Sequence, residues 1–587
     1  MPRLARPVNP RGLGRRAGGV PRTAALLSAA ACRDDARLVT DSFIKHLFLG
    51  ELRADLLRPF PALDAAGREL LDVFRDSLQR FAALRIDSRA IDKAHRIPDE
   101  VVEGLKELGL FGVRVPEEYG GLGLDLTQYV KVGAELAVLD GAVAILSGGH
   151  STIGFKALLL HGTEEQKRRW LPRLATGELR AAFALSEPGA GSDAQSLRTT
   201  ARRAPDGAWV LNGEKLWITN GGFAELVTVF ARTPDHPRAD GRPSISCFLV
   251  ERSSGFRSGP EEDKLGIRGS STVPLFFEDV RVPAENLIGP PGEGFRIALE
   301  VLNGGRTGLA GSCLGLCRFL LSQITPYVEQ RQQFGRPLAD FELIAEKLAR
   351  VAQETHALEC MTYLTTGLID RGVQDVALES AACKVFGTET LWMAVNDAVQ
   401  CAGGNGFTTD YPYERILRDA RVNMIFEGAN EILRLMLAGE GLKAPARRPA
   451  AARPRGGAPD PLPVPAPLLS EALALTLGTA DLEQTAAAAL AAHGPALKDR
   501  QLVLARLADQ AIALYGQAAV LARAASVVES KGEEGAGAEL LLARGACRRR
   551  ARAARDAVAA LRDNDDGLLL ETAALVRRSA GLPGDPT

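Results

Sequence analysis

Glu427 stands behind Met424, Ile425 and Phe426 and before Gly428, in the segment Asn423–Arg434 (NMIFEGANEILR). A carboxylate in that apolar setting is desolvated, which disfavours its charged form and raises its pKa toward the range of a general base. A lone glutamate also serves as half of a structural ion pair or faces solvent, so position alone does not assign the role. Asn430 is placed to cap a new helix. Three other clusters are candidates for ligand contact. Gly189-Ala190-Gly191-Ser192-Asp193-Ala194 follows a strand-like run and imitates a dinucleotide fingerprint, which needs a helix next because the pyrophosphate sits on that helix's N-terminus. Strand-like hairpin sequence follows instead, so the Rossmann reading fails, although the glycines still permit close backbone approach to a ligand. Lys215–Gly221 (KLWITNG) lies on the next predicted strand, where a Trp and a Thr either pack a core or line a site. Gln400–Phe407 (QCAGGNGF) is a Gly-rich break after a long helix and, by itself, a helix end and turn.

Elements must bring these clusters together, and 587 residues are enough for two or more domains. From about Leu56 to Leu179 the apolar spacing is helical, as in Asp99–Leu108 (DEVVEGLKEL), with Pro116–Leu124 (PEEYGGLGL) as a Gly-rich interruption. From about Arg180 to Gly289 short apolar runs alternate with turn signals, and Pro205-Asp206-Gly207 reads as a hairpin turn. Helical periodicity returns from Gly292 to about Leu442, and the Pro/Ala/Arg-rich stretch 444–467 reads as a linker before a last helical block. The expected fold class is therefore α+β, mainly α. Its parts are a leader (1–40), an N-terminal helical domain (41–180), a middle β-barrel-like domain (181–289), a C-terminal four-helix-bundle domain (290–442), the linker (443–467) and an additional helical domain (468–587).

Charge is nearly balanced, 71 Lys and Arg against 72 Asp and Glu, which gives no pull toward nucleic acid. Eight cysteines without a CxxC pair argue against a disulfide framework or a metal site and for buried thiols. No uninterrupted apolar run is long enough for a transmembrane helix. The first 32 residues carry six arginines and no acid. That pattern is open to a silent tail, an organelle transit peptide or an export signal.

Glu117–Gly121 (EEYGG), Ser186–Asp193 (SEPGAGSD), Trp217-Ile218-Thr219, Arg331–Gly335 (RQQFG), Gln400–Gly406 and Phe426-Glu427-Gly428 together resemble the acyl-CoA dehydrogenase family in order and spacing, from about Ile91 to Leu435. Ser42–Gly50 and Asp499–Ala525 resemble its very-long-chain branch, which includes a relative linked to respiratory complex I assembly and carries an extra C-terminal helical domain. The resemblance implies an FAD-dependent enzyme that oxidises long-chain fatty acyl-CoA to trans-2-enoyl-CoA, with Glu427 as base and electron-transfer flavoprotein as electron acceptor. It places Phe183, Leu185, Ser186, Trp217, Ile218 and Thr219 beside the isoalloxazine, and Arg331, Phe334, Gln400, Gly403 and Gly404 at the FAD of a neighbouring subunit. Ala429 stands where most members have a flavin-contacting Thr, and Glu342 at a position that helps bind FAD in shorter-chain members. Ser192, Asn303 and Arg306 fall where members contact acyl-CoA. The enolate oxygen would be held by the Glu427 backbone N–H and a ribityl hydroxyl. Some members carry the base immediately before the arginine equivalent to Arg306, where this chain has Gly305.

The extra domain implies a homodimer, because in that branch it covers the surface used for tetramers. Small residues at Ala144–His150, Gly304-Gly305 and Gly308–Gly315 leave either a deep acyl cavity or close helix packing. The segment from about Leu468 to Ala492 either contacts a membrane peripherally or caps the fold. The implied location is the cytoplasm in a bacterium, or the mitochondrial matrix or inner membrane. The alternative function is a catalytically weak member acting in respiratory complex assembly.

Overall fold

The computed structural model describes residues 42–237, 244–447, 459–579 and 581–582. The Arg-rich leader and the centre of the Pro-rich linker lie outside these residues. The first helical layer runs from Ala65–Arg85 to Glu164–Ala175. Its helix starts follow from local chemistry. Asp125 and Gln128 close a capping box on Leu126–Leu139, Thr163 and Gln166 do the same on Glu164–Ala175, and Asp140 caps Gly141–Gly148.

Eight strands follow: β1 (Ala181–Ala184), β2 (Thr200–Arg203), β3 (Trp209–Thr219), β4 (Leu226–Arg232), β5 (Ile245–Glu251), β6 (Arg257–Ser258), β7 (Thr272–Val282) and β8 (Leu287–Ile288). They order as β6-β7-β3-β2-β4-β5-β8, with β1 parallel to β4. The predicted Pro205-Asp206-Gly207 turn joins β2 to β3, with Gly207 at φ 89°. Val227, Val229 and Phe248 meet Trp209, Leu211, Leu275 and Phe277 in one apolar core, so the sheet curls on itself. The other face of β4 and β5, with Leu226, Phe230, Cys247 and Leu249, packs on Trp170, Leu171 and Ile297 of the helices. Both faces are covered, which explains why β4 and β5 are almost wholly apolar.

The bundle comprises Gly294–Gln330, Glu342–Asp370, Ala377–Ala402 and Asn430–Gly441. The last block folds as Leu469–His493, Gln501–Gly535, Gly537–Arg562 and Asp566–Ser579, and its core is continuous with that of the bundle. The linker also contributes to that core, through buried Leu462. The seven cysteines among the described residues are free and buried, and no metal-ligand cluster occurs among those residues.

Two sequence expectations need correction. Three helical stretches, Gly141–His161, Gly294–Gln330 and Gln501–Gly535, are long and apolar enough to cross a membrane by length and composition. Their apolar residues are interrupted by polar ones, so a search for unbroken runs misses them. More than half of the most apolar 18-residue window of each is buried against neighbouring elements. Asn430 does not cap the last bundle helix: it is that helix's first residue, and the preceding Ala429 makes no side-chain cap.

Candidate active site

The loop that carries Glu427 runs from the helix Tyr413–Ala420, through a turn at Arg421–Met424, into Asn430–Gly441. Glu427 adopts φ 57° and Gly428 φ 95°. A left-handed conformation costs a non-glycine residue about 1–2 kcal/mol, so the surroundings must hold it. Two cations do so. Arg306 Nε donates to the Glu427 carbonyl at 3.2 Å, and Lys384 Nζ donates to the Gly428 carbonyl at 2.8 Å. Arg306 also donates to Asn303 Oδ1 (3.3 Å), so this predicted substrate pair forms part of the loop's support. The Asn430 side chain, predicted as a cap, accepts from Lys384 (2.7 Å) and donates to Thr388 and Glu389.

Glu427 Oε2 is buried without a hydrogen-bond partner. Burial pushes the carboxyl up to about 7, against the pull of Arg306 and Lys384. The residue retains some surface because its carboxylate opens onto two cavities that meet at Glu427, Phe426, Thr219 and Ile153. A Cβ on Gly305 would lie 3.0 Å from Oε2, so positions 305 and 427 address the same point in space.

One cavity, about 230 Å³, has a mixed lining that includes Phe183, Leu185, Ser186, Ser192, Trp217, Thr219 and Arg306. Its strand wall is built by a register shift in β3 between Lys215 and Ile218, which turns Trp217 to φ 58° and leaves it 59% exposed. Ile218 points the other way, into the sheet core, and so offers only backbone to this wall. Buried Lys215 bonds Glu187 at 2.8 Å and the Leu185 carbonyl at 3.1 Å, and Glu187 accepts from the backbone of Arg198 and Thr199. That buried pair pins the Ser186–Asp193 loop to β3. Arg331, Phe334, Gln400, Gly403 and Gly404 line neither cavity and are all exposed, Phe334 by 93%. Glu342 is also exposed, and Ala429 lines neither cavity.

The second cavity, about 110 Å³, is lined mainly by apolar residues and glycines, with Ser312, Asp419 and Asn423 among them, and runs between Leu126–Leu139, Gly141–Gly148 and Gly294–Gln330. Its small residues divide by role. Gly148 and Gly308 face it with room for a Cβ, whose nearest neighbours would be 3.8 and 3.6 Å away. At Gly311 and Gly315 a Cβ would collide with Val130 and Ala134, so those glycines serve helix packing. Gly149 is packed likewise, against Thr219 and Asn220 at 2.9 Å. Buried His150 accepts from Ala181 N (3.0 Å) and faces the Phe111 and Leu174 carbonyls. Burial lowers its pKa to about 4, so it is a neutral clamp between this wall and β1. Filling the space with Gly148→Phe is expected to weaken binding of a long apolar chain at least tenfold relative to a short one, a ratio that titration with both reads directly.

Lys384, its bond to Asn430 and the two-cation support were not read from the sequence. The only signal was a lysine inside the apolar helical run SAACKVFG, and its partners lie more than 40 positions away.

Family models match this architecture in sequence: the acyl-CoA dehydrogenase N-terminal domain over residues 69–178, the middle domain over 182–280 and the C-terminal domain over 292–442. The chain belongs to the acyl-CoA dehydrogenase family, and it is an FAD-dependent oxidoreductase of that family. Its last block, residues 467–573, matches the ACAD9/ACADV C-terminal domain. The chain is similar to the human mitochondrial very long-chain specific acyl-CoA dehydrogenase, at 38% identity over 90% of this chain and 85% of that one. It is 41% identical to an acyl-CoA dehydrogenase of Bacillus subtilis over 62% of this chain and 96% of that one. A crystal structure of an acyl-CoA dehydrogenase complexed with FAD from Bacillus anthracis superposes with a TM-score of 0.78, at 32% identity, covering 92% of this chain and 95% of that one.

Proposed function

We propose that this chain oxidises long-chain fatty acyl-CoA to trans-2-enoyl-CoA, with Glu427 taking the α-proton. The observation that carries the reading is the unpartnered, desolvated Glu427 carboxylate at the junction of two mainly apolar cavities. The residues fit a flavin: Phe183, Trp217 and Thr219 form an open aromatic and polar wall beside Glu427. In this role Phe183, Leu185, Ser186 and β3 from Trp217 to Thr219 hold FAD, which when bound supplies the acceptor for the β-hydrogen as hydride.

The protein's share is proton removal and charge stabilisation. Glu427 lies where an acyl chain entering the second cavity would present its α-carbon. The Glu427 backbone N–H has no partner among the described residues and serves the enolate oxygen. Ser192 and Arg306 line the thioester side of the site, with Asn303 holding Arg306 (3.3 Å) and Arg306 also fixing the Glu427 carbonyl. The small acyl walls and the similarity to very long-chain enzymes support a long-chain preference.

Exposure of Arg331, Phe334, Gln400, Gly403 and Gly404 supports their reaching the FAD of a second subunit, and thus a homodimer. Electron-transfer flavoprotein is the acceptor the family resemblance supports. The mitochondrial relatives favour the matrix or inner membrane, and the Bacillus relative favours a bacterial cytoplasm. Leu469, Leu473 and Leu477 form an exposed stripe on Leu469–His493, while its other face is buried, which supports peripheral membrane contact. The double variant Leu473→Ser/Leu477→Ser is expected to halve co-sedimentation with phosphatidylglycerol vesicles or better; unchanged pelleting removes that contact.

The test of the activity is anaerobic titration of the FAD-loaded protein with octanoyl-, palmitoyl- and stearoyl-CoA. Bleaching of the flavin absorbance is expected, strongest with the longer two. A protein that holds FAD but is bleached by none of them would belong instead to the assembly role.

A further inference from the structure

We infer that Lys384 is a positioning residue for proton transfer, acting on Glu427 through the Gly428 carbonyl and through its own charge. This rests on the reading of Glu427 as the base. Lys384 sits on the helix Ala377–Ala402 and is fully buried. Its ammonium donates to two neutral acceptors, the Gly428 carbonyl (2.8 Å) and Asn430 Oδ1 (2.7 Å). No carboxylate bonds to it among the described residues. Burying a cation without a bonded counter-charge is costly, and a residue serving only to fill space would be apolar.

The arrangement makes sense once its effect on Glu427 is followed. Lys384 fixes the Gly428 carbonyl, and Asn430 is fixed in turn by Thr388 (3.1 Å) and Glu389 (3.0 Å). Arg434 donates to the same Glu389 oxygen at 2.7 Å and to the other at 2.9 Å. The peptide after Glu427 is therefore tied to a rigid helix, and this keeps the left-handed Glu427-Gly428 pair aimed at the cavity junction.

The charge acts alongside the hydrogen bond. The charged groups facing Glu427 are both cations, Arg306 from Gly294–Gln330 and Lys384 from Ala377–Ala402. The groups facing Lys384 are Arg306 and the Cys313 thiol, which burial pushes up to about 12 and so keeps neutral, from the first of these helices, Glu427 from the loop and Glu389 from its own helix. Removing the ammonium leaves the base with Arg306 alone to favour its charged form. Glu427 should then ionise at higher pH.

The experiment uses the FAD-loaded enzyme and the rate of anaerobic bleaching by saturating palmitoyl-CoA across neutral pH, for wild type, Lys384→Met and Lys384→Gln. In Lys384→Met the acid limb is expected to move up by about one pH unit. The rate at neutral pH should then fall about fivefold or more, with KM within about twofold. Lys384→Gln keeps a donor for the Gly428 carbonyl without the charge. It should recover the plateau rate at high pH while keeping the displaced limb. If Lys384→Met does not retain FAD, the limb of Lys384→Gln carries the test. An FAD-loaded variant with the wild-type limb and a rate within twofold overturns the inference. Failure of the underlying reading is distinct: Glu427→Gln would then bleach as fast as wild type.

Discussion

Glu427→Gln is expected to hold FAD and to bind acyl-CoA, yet to bleach about 10²–10⁴-fold more slowly than wild type, the span that a positioned general base contributes. Glutamine preserves the size of the side chain and leaves the Glu427 N–H and the Arg306 and Lys384 contacts to the backbone in place. Only the proton acceptor is lost, so the effect should fall on the rate of bleaching rather than on KM. The wild-type pH dependence gives a second, independent check. With the carboxyl pushed up to about 7 by burial, the base is mostly protonated below that pH and ionised above it. The bleaching rate should rise about tenfold per unit up to that point and level off beyond it. Glu427→Gln should show no such limb. Stopped-flow absorbance on both proteins at several pH values measures all of this. A variant within tenfold of wild type would remove Glu427 from the role of base.

The proposed base was a candidate from its local sequence, and the family resemblance supplied its role. Of the three apolar residues before Glu427 only Phe426 lines the cavities, while Ile425 is exposed, so most of the carboxylate's apolar surroundings come from other elements, such as Ile153. Strand alternation was likewise a local signal. Sequence left Trp217 and Thr219 open between core and site; the β3 register shift turns Trp217 outward while Ile218, expected beside the flavin, points into the sheet core. Asn430 was misread because its type and spacing fit a cap, while its side chain is claimed by Lys384, 46 residues earlier on another helix. Long-range hydrogen bonds leave no periodic trace. The glycines of Gly308–Gly315 show the same limit. Sequence offered cavity or packing for the whole run, and the two roles separate only when the opposing helix supplies, or fails to supply, an atom where a Cβ would stand.

A second large effect is expected far from the flavin, where the last helical block docks on the bundle. Glu354 on Glu342–Asp370 is buried and bonds Arg549 (2.9 Å) and Arg550 of Gly537–Arg562. Five residues on, Glu359 bonds Arg523 (2.9 Å) and Arg318 (2.6 Å). Burial opposes ionisation of Glu359, but the two arginines outweigh it and hold its pKa below the usual value. A depressed carboxylate pKa stabilises the fold above its ordinary titration range, and that contribution disappears as pH falls through the lowered value. Acid should therefore loosen this interface first. Glu354→Ala tests it at neutral pH, because it leaves the partly buried Arg550 with the Phe386 ring (4.7 Å) but no carboxylate bonded to it among the described residues. Breaking a buried pair from one side costs about 3–5 kcal/mol, and the lower figure applies here because Arg549 is partly exposed. At about 3 kcal/mol, amides of Gln501–Gly535 and Gly537–Arg562 should lose about a hundredfold in hydrogen-exchange protection, while those of β4 and β5 keep theirs. Equal loss in both regions would mean that the molecule opens as one unit. Unchanged protection in both would mean that the apolar contacts around buried Tyr515 and Leu514, rather than the ion pairs, fasten the last block to the bundle.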